Sequence, residues 1–193
     1  MVAWRIIEPI FRLPQPVQVS CWETKVSDML VELAAHRLDL VLADQPATSG
    51  APANVFNHFL GECAIEFCAE PRLAAKLRRG FPQSLHEAPA LLPMSNSGLR
   101  RSLEKWFHST SVRPQLVGEI EDPAFVHILA LHGLGFIAVP TLVAKETMAR
   151  FGFRTIGHTE ECRQQFYAIT AERRRTHPAI LAIISRASSA RSG

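Results

Sequence analysis

The most specific candidate for ligand binding is a short polar turn, Ser95-Asn96-Ser97. It follows an apolar run, Ala90–Pro93, that predicts a buried strand, and it precedes a helical pattern over Leu99–His108. Backbone N–H groups lack partners at the start of a helix, and hydroxyl and amide side chains add donors and acceptors. The turn is therefore suited to an anion or a polar ligand. N-capping of the helix by Ser95 or Asn96 explains the same residues, and both interpretations stay open.

A second group of candidates is acidic. Glu119, Glu121 and Asp122 come just before a predicted helix. Carboxylates at that position are stabilised by the helix dipole, which accounts for them without any ligand. The alternative is that one of them supplies oxygen to a cation or an amine, since hard cations take carboxylate and carbonyl oxygens.

Glu23 and Asp44-Gln45 are candidates because of the elements that must position them. Val17–Trp22 predicts a strand, Val26–Ala35 a helix, and the aliphatic run at 38–43 a strand buried on both faces. Strand, helix and strand in this order predict a parallel βαβ unit. Ligands of open α/β sheets bind beyond the carboxyl ends of the strands, so we expect these side chains at the lip of a cleft.

The rest of the chain continues the alternation of strands and helices. Apolar periodicity predicts an N-terminal helix at 3–12, and the composition of the loops marks the boundaries of the later elements. Two α/β lobes with a cleft between them are the natural architecture. The predicted strands lie at 55–60, 63–69, 90–93, 113–119, 136–139, 153–157 and 165–171, and the later helices begin near 71, 99, 123, 142 and 178.

Composition excludes several classes of protein. The 193 residues carry a net charge of +3, and the main basic run, Arg173-Arg174-Arg175, is too short to indicate a nucleic-acid surface. No apolar run is long enough for a membrane span, and Glu8 and Pro9 stand where a signal peptide would be apolar. Four cysteines without metal-site spacing indicate reduced thiols, so we expect a cytoplasmic protein.

No arrangement of residues indicates catalysis or a cofactor. The sequence has no nucleophile with an adjacent base, no glycine-rich phosphate loop and no paired Cys/His motif. Gly133-Leu134-Gly135 follows a predicted helix, which is the wrong context for dinucleotide binding. We therefore expect a binding protein and not an enzyme.

Several stretches resemble the effector-binding domains of LysR-type transcriptional regulators. Leu33–Ala43 is similar to the helix-to-strand signature of that family, and His132–Pro140 is similar to its Gly-x-Gly-x-x-x-x-Pro segment. Other stretches resemble the narrower group that activates sodium/proton antiporter genes, the NhaR group. These stretches are Leu38–Pro46, Phe59–Cys63, Phe81–Leu85, Leu99–Leu103 and Phe166–Ile169 through His177–Ala179.

The resemblance implies an α/β fold of two Rossmann-like lobes joined by two crossover strands, as in type 2 periplasmic binding proteins. Lobe I would comprise 1–67 and 164–193, and lobe II 68–163. The effector would lie in the cleft, and in the narrower group the signal is sodium or alkaline stress, with sodium held through Glu23, Glu121 and Asp122. The effector residues carried over are Glu23, Asp44, Gln45, Ser95, Asn96, Ser97, Glu121, Asp122 and Pro140.

The resemblance also implies partners. Family members bind DNA through an N-terminal winged helix-turn-helix that this chain lacks, so we do not expect the chain alone to bind an operator. They pair their sensor domains antiparallel, which predicts a homodimer, and a tetramer in the full-length form. The first helix would then pack on helix 99–108 of the other copy, unless these apolar faces belong to the core. The predicted interface residues are Trp4, Ile7, Phe11, Leu103, Trp106 and Phe107.

Two other classes remain as alternatives. A periplasmic-type solute-binding protein shares the two-lobe form, but the missing signal peptide and the reduced cysteines disfavour it. A small α/β enzyme is disfavoured because no catalytic arrangement is visible.

Overall fold

The computed structural model describes residues 2–48, 51–52, 54–171 and 177–189; the basic run at 173–175 lies outside them. The chain forms two compact units, which we call unit 1 (Met1–Glu62 with Gln165–Gly193) and unit 2 (Cys63–Gln164). The helices are α1 Val2–Ile7, α2 Val26–Ala34, α3 Pro71–Arg78, α4 Gly98–Ser109, α5 Pro123–Leu131, α6 Thr141–Phe151 and α7 Pro178–Ser189. The strands are β1 Val41–Ala43, β2 Val55–Ala69, β3 Pro89–Pro93, β4 Gln115–Ile120, β5 Ile137–Pro140 and β6 Arg154–Ala171.

The strand β1 of unit 1 is covered by apolar side chains on both faces. Val41 packs with Leu33 in one cluster, and Leu42 packs with Ile10 in another. Neighbouring residues of a strand point to opposite faces, so the prediction of a doubly covered strand is confirmed. The parallel pairing predicted between Val17–Trp22 and this strand is wrong, because residues 17–22 form no strand. Instead β1 pairs antiparallel with β6, with Val41 opposite Ile169.

The strand predicted at Val17–Trp22 does not form, since these residues have no regular secondary structure. Val17 and Val19 pack against the Ile10 cluster, whereas Gln18 and Ser20 are exposed. The alternation in the sequence therefore reflects burial alone. A strand also needs a backbone partner, which alternation does not reveal.

The predicted first helix is divided in two. α1 ends at Ile7, and a 3-10 helix continues from Glu8 to Arg12 with Pro9 in its first turn. Proline has no N–H to donate to the preceding turn, so the regular α-helical ladder ends before it.

Unit 2 contains the parallel strand–helix–strand crossover that the sequence predicted. β3 runs through α4 into β4, and the two strands pair in parallel with Pro93 opposite Ile120. β2 and β5 pair antiparallel, and Ala90 forms a parallel bridge with Phe136. The carboxyl ends of β3 and β4 therefore lie side by side. The turn at 95–97 follows β3, and the acidic residues at 119–122 lie at the end of β4 and just beyond it.

The core of unit 2 is built on aromatic rings. The ring of Phe67 stacks on that of Trp106 at 5.0 Å between centroids, and Phe136 meets Phe67 edge-on at 5.9 Å. Leu103, Trp106 and Phe107 are buried in this core. Their predicted place in a dimer interface is therefore wrong, because the apolar stripe of α4 packs within its own unit.

Two pairs of predicted strands are single long strands. The runs at 55–60 and 63–69 merge into β2, and those at 153–157 and 165–171 merge into β6. Between the first two runs, Gly61 has a φ of 143°, a conformation that glycine adopts readily, and the strand continues through it. β2 and β6 each pass from one unit into the other and are neighbours in the four-stranded sheet β1-β6-β2-β5.

The four cysteines are free thiols. Cys68 and Cys162 are buried, and burial raises the pKa of the Cys68 thiol to about 12. Within the described residues, no helix has the length and apolarity needed to cross a membrane.

Candidate functional site

The polar turn of unit 2 connects β3 to α4. Ser97 caps α4, because its Oγ accepts a hydrogen bond from the backbone N–H of Arg100 at 3.0 Å. Ser95 and Asn96 are exposed. Capping thus involves Ser97 and not Ser95 or Asn96, for which the sequence suggested it.

Arg100, which sequence reasoning missed, connects the turn to its surroundings. Its side chain is 10% exposed, and its Nη1 donates to the carbonyl oxygen of Pro93 at 2.8 Å and to Glu119 Oε1 at 2.7 Å. Its Nε donates to Glu104 Oε1 at 2.8 Å. The spacing of four residues to Glu104 is the usual one for a helical ion pair and was visible in the sequence. Nothing in the sequence indicated the pairing with Glu119.

The three acidic residues between the end of β4 and the start of α5 have different surroundings. Glu119 is paired with Arg100. Asp122 caps α5, since its Oδ1 accepts a hydrogen bond from the backbone N–H of Ala124 at 2.7 Å. Glu121 is exposed at the end of β4. The ion pair accounts for Glu119 and helix capping accounts for Asp122, so Glu121 is the acid best placed to contact a solute.

Pro140, the last predicted effector residue of unit 2, ends β5. It lies opposite Ile65 of β2 and occupies the N-cap position of α6. Because it has no N–H, it closes the strand where the helix begins.

The predicted residues of unit 1 lie in two separate loops. Glu23 is exposed in the irregular segment before α2, whereas Asp44 and Gln45 are partly buried directly after β1. Asn57 of β2, another residue that sequence reasoning missed, holds the second loop. Its Oδ1 accepts a hydrogen bond from the Ala47 N–H at 2.8 Å, and its Nδ2 donates to the Ala47 carbonyl at 3.1 Å.

Throughout residues 2–48, 51–52, 54–171 and 177–189, no group of three or more His, Cys, Asp or Glu side chains is arranged to hold a metal ion. A cation at this site would therefore need hydroxyl, amide or backbone oxygens in addition to carboxylates.

Comparison with known proteins agrees with this architecture. Residues 12–190 match the model of the LysR substrate binding domain. The chain is 33% identical over 168 residues to the transcriptional activator protein NhaR of Escherichia coli (strain K12), covering 86% of this chain and 54% of the relative. The chain thus spans about half the length of the curated relatives it matches.

Two solved structures show the same fold. DarR of Vibrio fischeri in complex with DNA has a TM-score of 0.69 at 17% identity, covering 96% of this chain and 64% of that one. The effector binding domain of QuiR in complex with shikimate has a TM-score of 0.65 at 12% identity, covering 96% and 88%.

The matching family and the curated relatives are regulators of transcription and not enzymes, which confirms that part of the prediction. The α/β fold and the resemblance inferred from Leu33–Ala43 and His132–Pro140 are confirmed as well. The chain therefore belongs to the LysR family of transcriptional regulators and constitutes its substrate-binding domain.

Proposed function

We propose that the chain is the effector-sensing domain of a cytoplasmic transcriptional activator similar to NhaR. The observation that carries the proposal is the polar turn of unit 2, which presents Ser95 and Asn96 to solvent on a framework fixed by Arg100. Since the chain spans about half the length of the relatives, DNA binding would belong to another part of the polypeptide, a winged helix-turn-helix.

We infer that the effector is sodium or a small polar molecule. The buried guanidinium of Arg100 is paired with Glu104 and Glu119, so its charge is compensated. An anionic effector would therefore gain little at this turn, whereas hydroxyl, amide and carboxylate oxygens suit a cation or a hydrogen-bond donor. In this proposal Glu121 and Asp122 contribute to binding in unit 2, and Glu23, Asp44 and Gln45 are separate candidate binding residues of unit 1.

A thermal-shift titration tests the effector. We expect the melting temperature to rise with sodium chloride more than with potassium or choline chloride at equal ionic strength, because ligands that bind only the folded state stabilise it. Glu121→Ala and Glu23→Ala should weaken the response, whereas Glu161→Ala, which removes an exposed acid on β6, should not. Equal responses to the three salts, together with no response to a panel of polar metabolites, would rule out the proposed sensing role.

We also infer that the domain forms a homodimer through two exposed apolar faces. On the first helical segment, Trp4 stacks on Phe11 at 5.7 Å although both side chains are about half exposed. On α5, Phe125, Ile128 and Leu131 are exposed at intervals of three residues. Exposed patches of this kind mark interfaces, so we place α5 of a second copy, and not α4, against the Trp4–Phe11 pair. A full-length protein would associate further, into a tetramer.

A further inference from the structure

Arg100 makes contacts at both ends of the turn between β3 and α4. Its backbone N–H donates to Ser97 Oγ at the end of the turn, and its Nη1 donates to the Pro93 carbonyl at the start. Burying a charged side chain is costly unless the charge is paired and its donors are satisfied. The pairing with Glu104 and Glu119 supplies that compensation.

We propose that Arg100 is the positioning residue of the effector site: it fixes the conformation of the turn at 94–97 and keeps the Glu119 carboxylate away from bound solutes. This inference rests on the proposed function, because it assigns the turn to effector binding. Arg100 itself need not touch the effector, since its Nε and Nη1 donors are directed at Pro93, Glu104 and Glu119.

The shape of the side chain explains why an arginine is required. A guanidinium is planar and presents several N–H donors in fixed directions, so it reaches a carbonyl on β3, a carboxylate on β4 and a carboxylate on α4 at once. A lysine ammonium at the same place keeps the charge, but its different shape cannot reproduce these directions. Arg100→Lys therefore separates the effect of charge from the effect of geometry.

Hydrogen–deuterium exchange of the ligand-free domain tests the positioning role. We expect the amides of the turn at 94–97 to exchange about tenfold faster in Arg100→Gln, because hydrogen bonds to a charged group are lost there. Arg100→Lys should recover only part of the protection. Lys105→Gln, which removes an exposed cation from the same helix, is the matched control and should exchange like the parent.

The sodium titration supplies a second measurement. In Arg100→Gln we expect the sodium concentration that gives half of the thermal shift to rise about tenfold. Unchanged exchange in the turn, or an equal increase of exchange throughout unit 2, would overturn the positioning role. A parent domain without any sodium response would refute sodium as the effector, while the exchange comparison would still decide the role of Arg100.

A third variant covers the case in which Arg100→Gln does not fold. Glu119→Gln keeps the guanidinium and weakens only one of its bonds. We expect faster exchange confined to the turn and to the end of β4. Parent-like exchange in Glu119→Gln would show that the Arg100–Glu119 bond does not position the turn.

Discussion

Gly157 of β6 lies directly against the ring of Phe81. A Cβ atom built at position 157 would stand 2.6 Å from two atoms of that ring, closer than side chains pack in proteins. The ring is itself held by Phe67 and Trp106, at 5.7 and 5.9 Å between centroids. Unit 2 thus requires glycine at 157 because the neighbouring ring has little room to move.

Gly157→Ala should therefore destabilise the domain. The added methyl group overpacks an aromatic core, which costs about 1–3 kcal/mol. Urea unfolding followed by tryptophan fluorescence measures the loss. In a Phe81→Leu background the same substitution should cost less, because the ring that clashes is gone. An equal loss of stability from Gly157→Ala in the parent and in Phe81→Leu would show that the Phe81 ring is not the reason why position 157 requires glycine.

Asn57→Ala should loosen the loop that carries Asp44 and Gln45. The substitution removes both side-chain hydrogen bonds to Ala47, and each such bond contributes about 1 kcal/mol or less at an exposed position. We expect faster amide exchange at 44–48 with a small change in the free energy of unfolding. Asn57→Asp keeps the acceptor oxygen and loses the donor, so its amide exchange at 44–48 should be intermediate between that of the parent and that of Asn57→Ala. Exchange equal to the parent's in Asn57→Ala would contradict this assignment.

His127 should make the stability of the domain depend on pH. Its ring packs on those of Phe151 and Phe153 at 4.6 and 6.1 Å, and burial lowers its pKa below the ordinary value of 6.5. The folded state therefore favours the neutral imidazole. Its contribution to stability is complete above pH 6.5 and is lost as the pH falls from that value toward the lowered pKa, because only the unfolded state takes up the proton in this range.

The comparison that isolates this contribution is His127→Gln against the parent. Urea unfolding from about pH 7.5 to about pH 5 should show a steeper loss of stability in the parent, because other groups titrate alike in both proteins. Parallel pH profiles would show that the His127 ring titrates equally in the folded and unfolded states.

Ile128→Glu and Phe11→Glu should each weaken self-association. A charge placed in the middle of an apolar contact removes burial and adds an unpaired carboxylate, so we expect the dissociation constant to rise about thirtyfold or more. Sedimentation velocity measures the change, and Lys145→Glu on the exposed side of α6 is the control. A parent domain that remains monomeric at about 100 μM would contradict the proposed dimer.

Local signals in the sequence were sufficient for much of the fold. The helix expected from near 71 forms as α3, and the Glu70 carboxylate accepts hydrogen bonds from the first turn of that helix. The polar turn and the acids at 119–122 were placed at the carboxyl ends of β3 and β4, where the structure has them. Helix caps and apolar periodicity depend on residues that are close together in the chain, so they can be recognised in a single sequence.

Long-range pairing was less predictable. The partner of Val41 is Ile169, and the partner of Arg100 is Glu119 on the next strand. Neither pairing has a local signature, because each depends on how the chain returns after an intervening element. The apolar stripe of α4 shows the same limit. The sequence correctly indicated that Leu103, Trp106 and Phe107 are buried, but it did not indicate whether the residues that cover them belong to the same chain or to a second copy.

Unit 1 is assembled from segments on either side of unit 2 in the chain, and this order has a consequence for synthesis. The ribosome releases Cys63–Gln164 as one uninterrupted stretch, whereas β1 must wait for its β6 partner residues Tyr167–Ile169. During translation the residues of unit 2 are made before Tyr167–Ile169, and the earlier-made residues around Val41 remain without these strand partners until then. A nascent chain stalled shortly after Gln164 would therefore contain a complete unit 2 beside an incomplete unit 1.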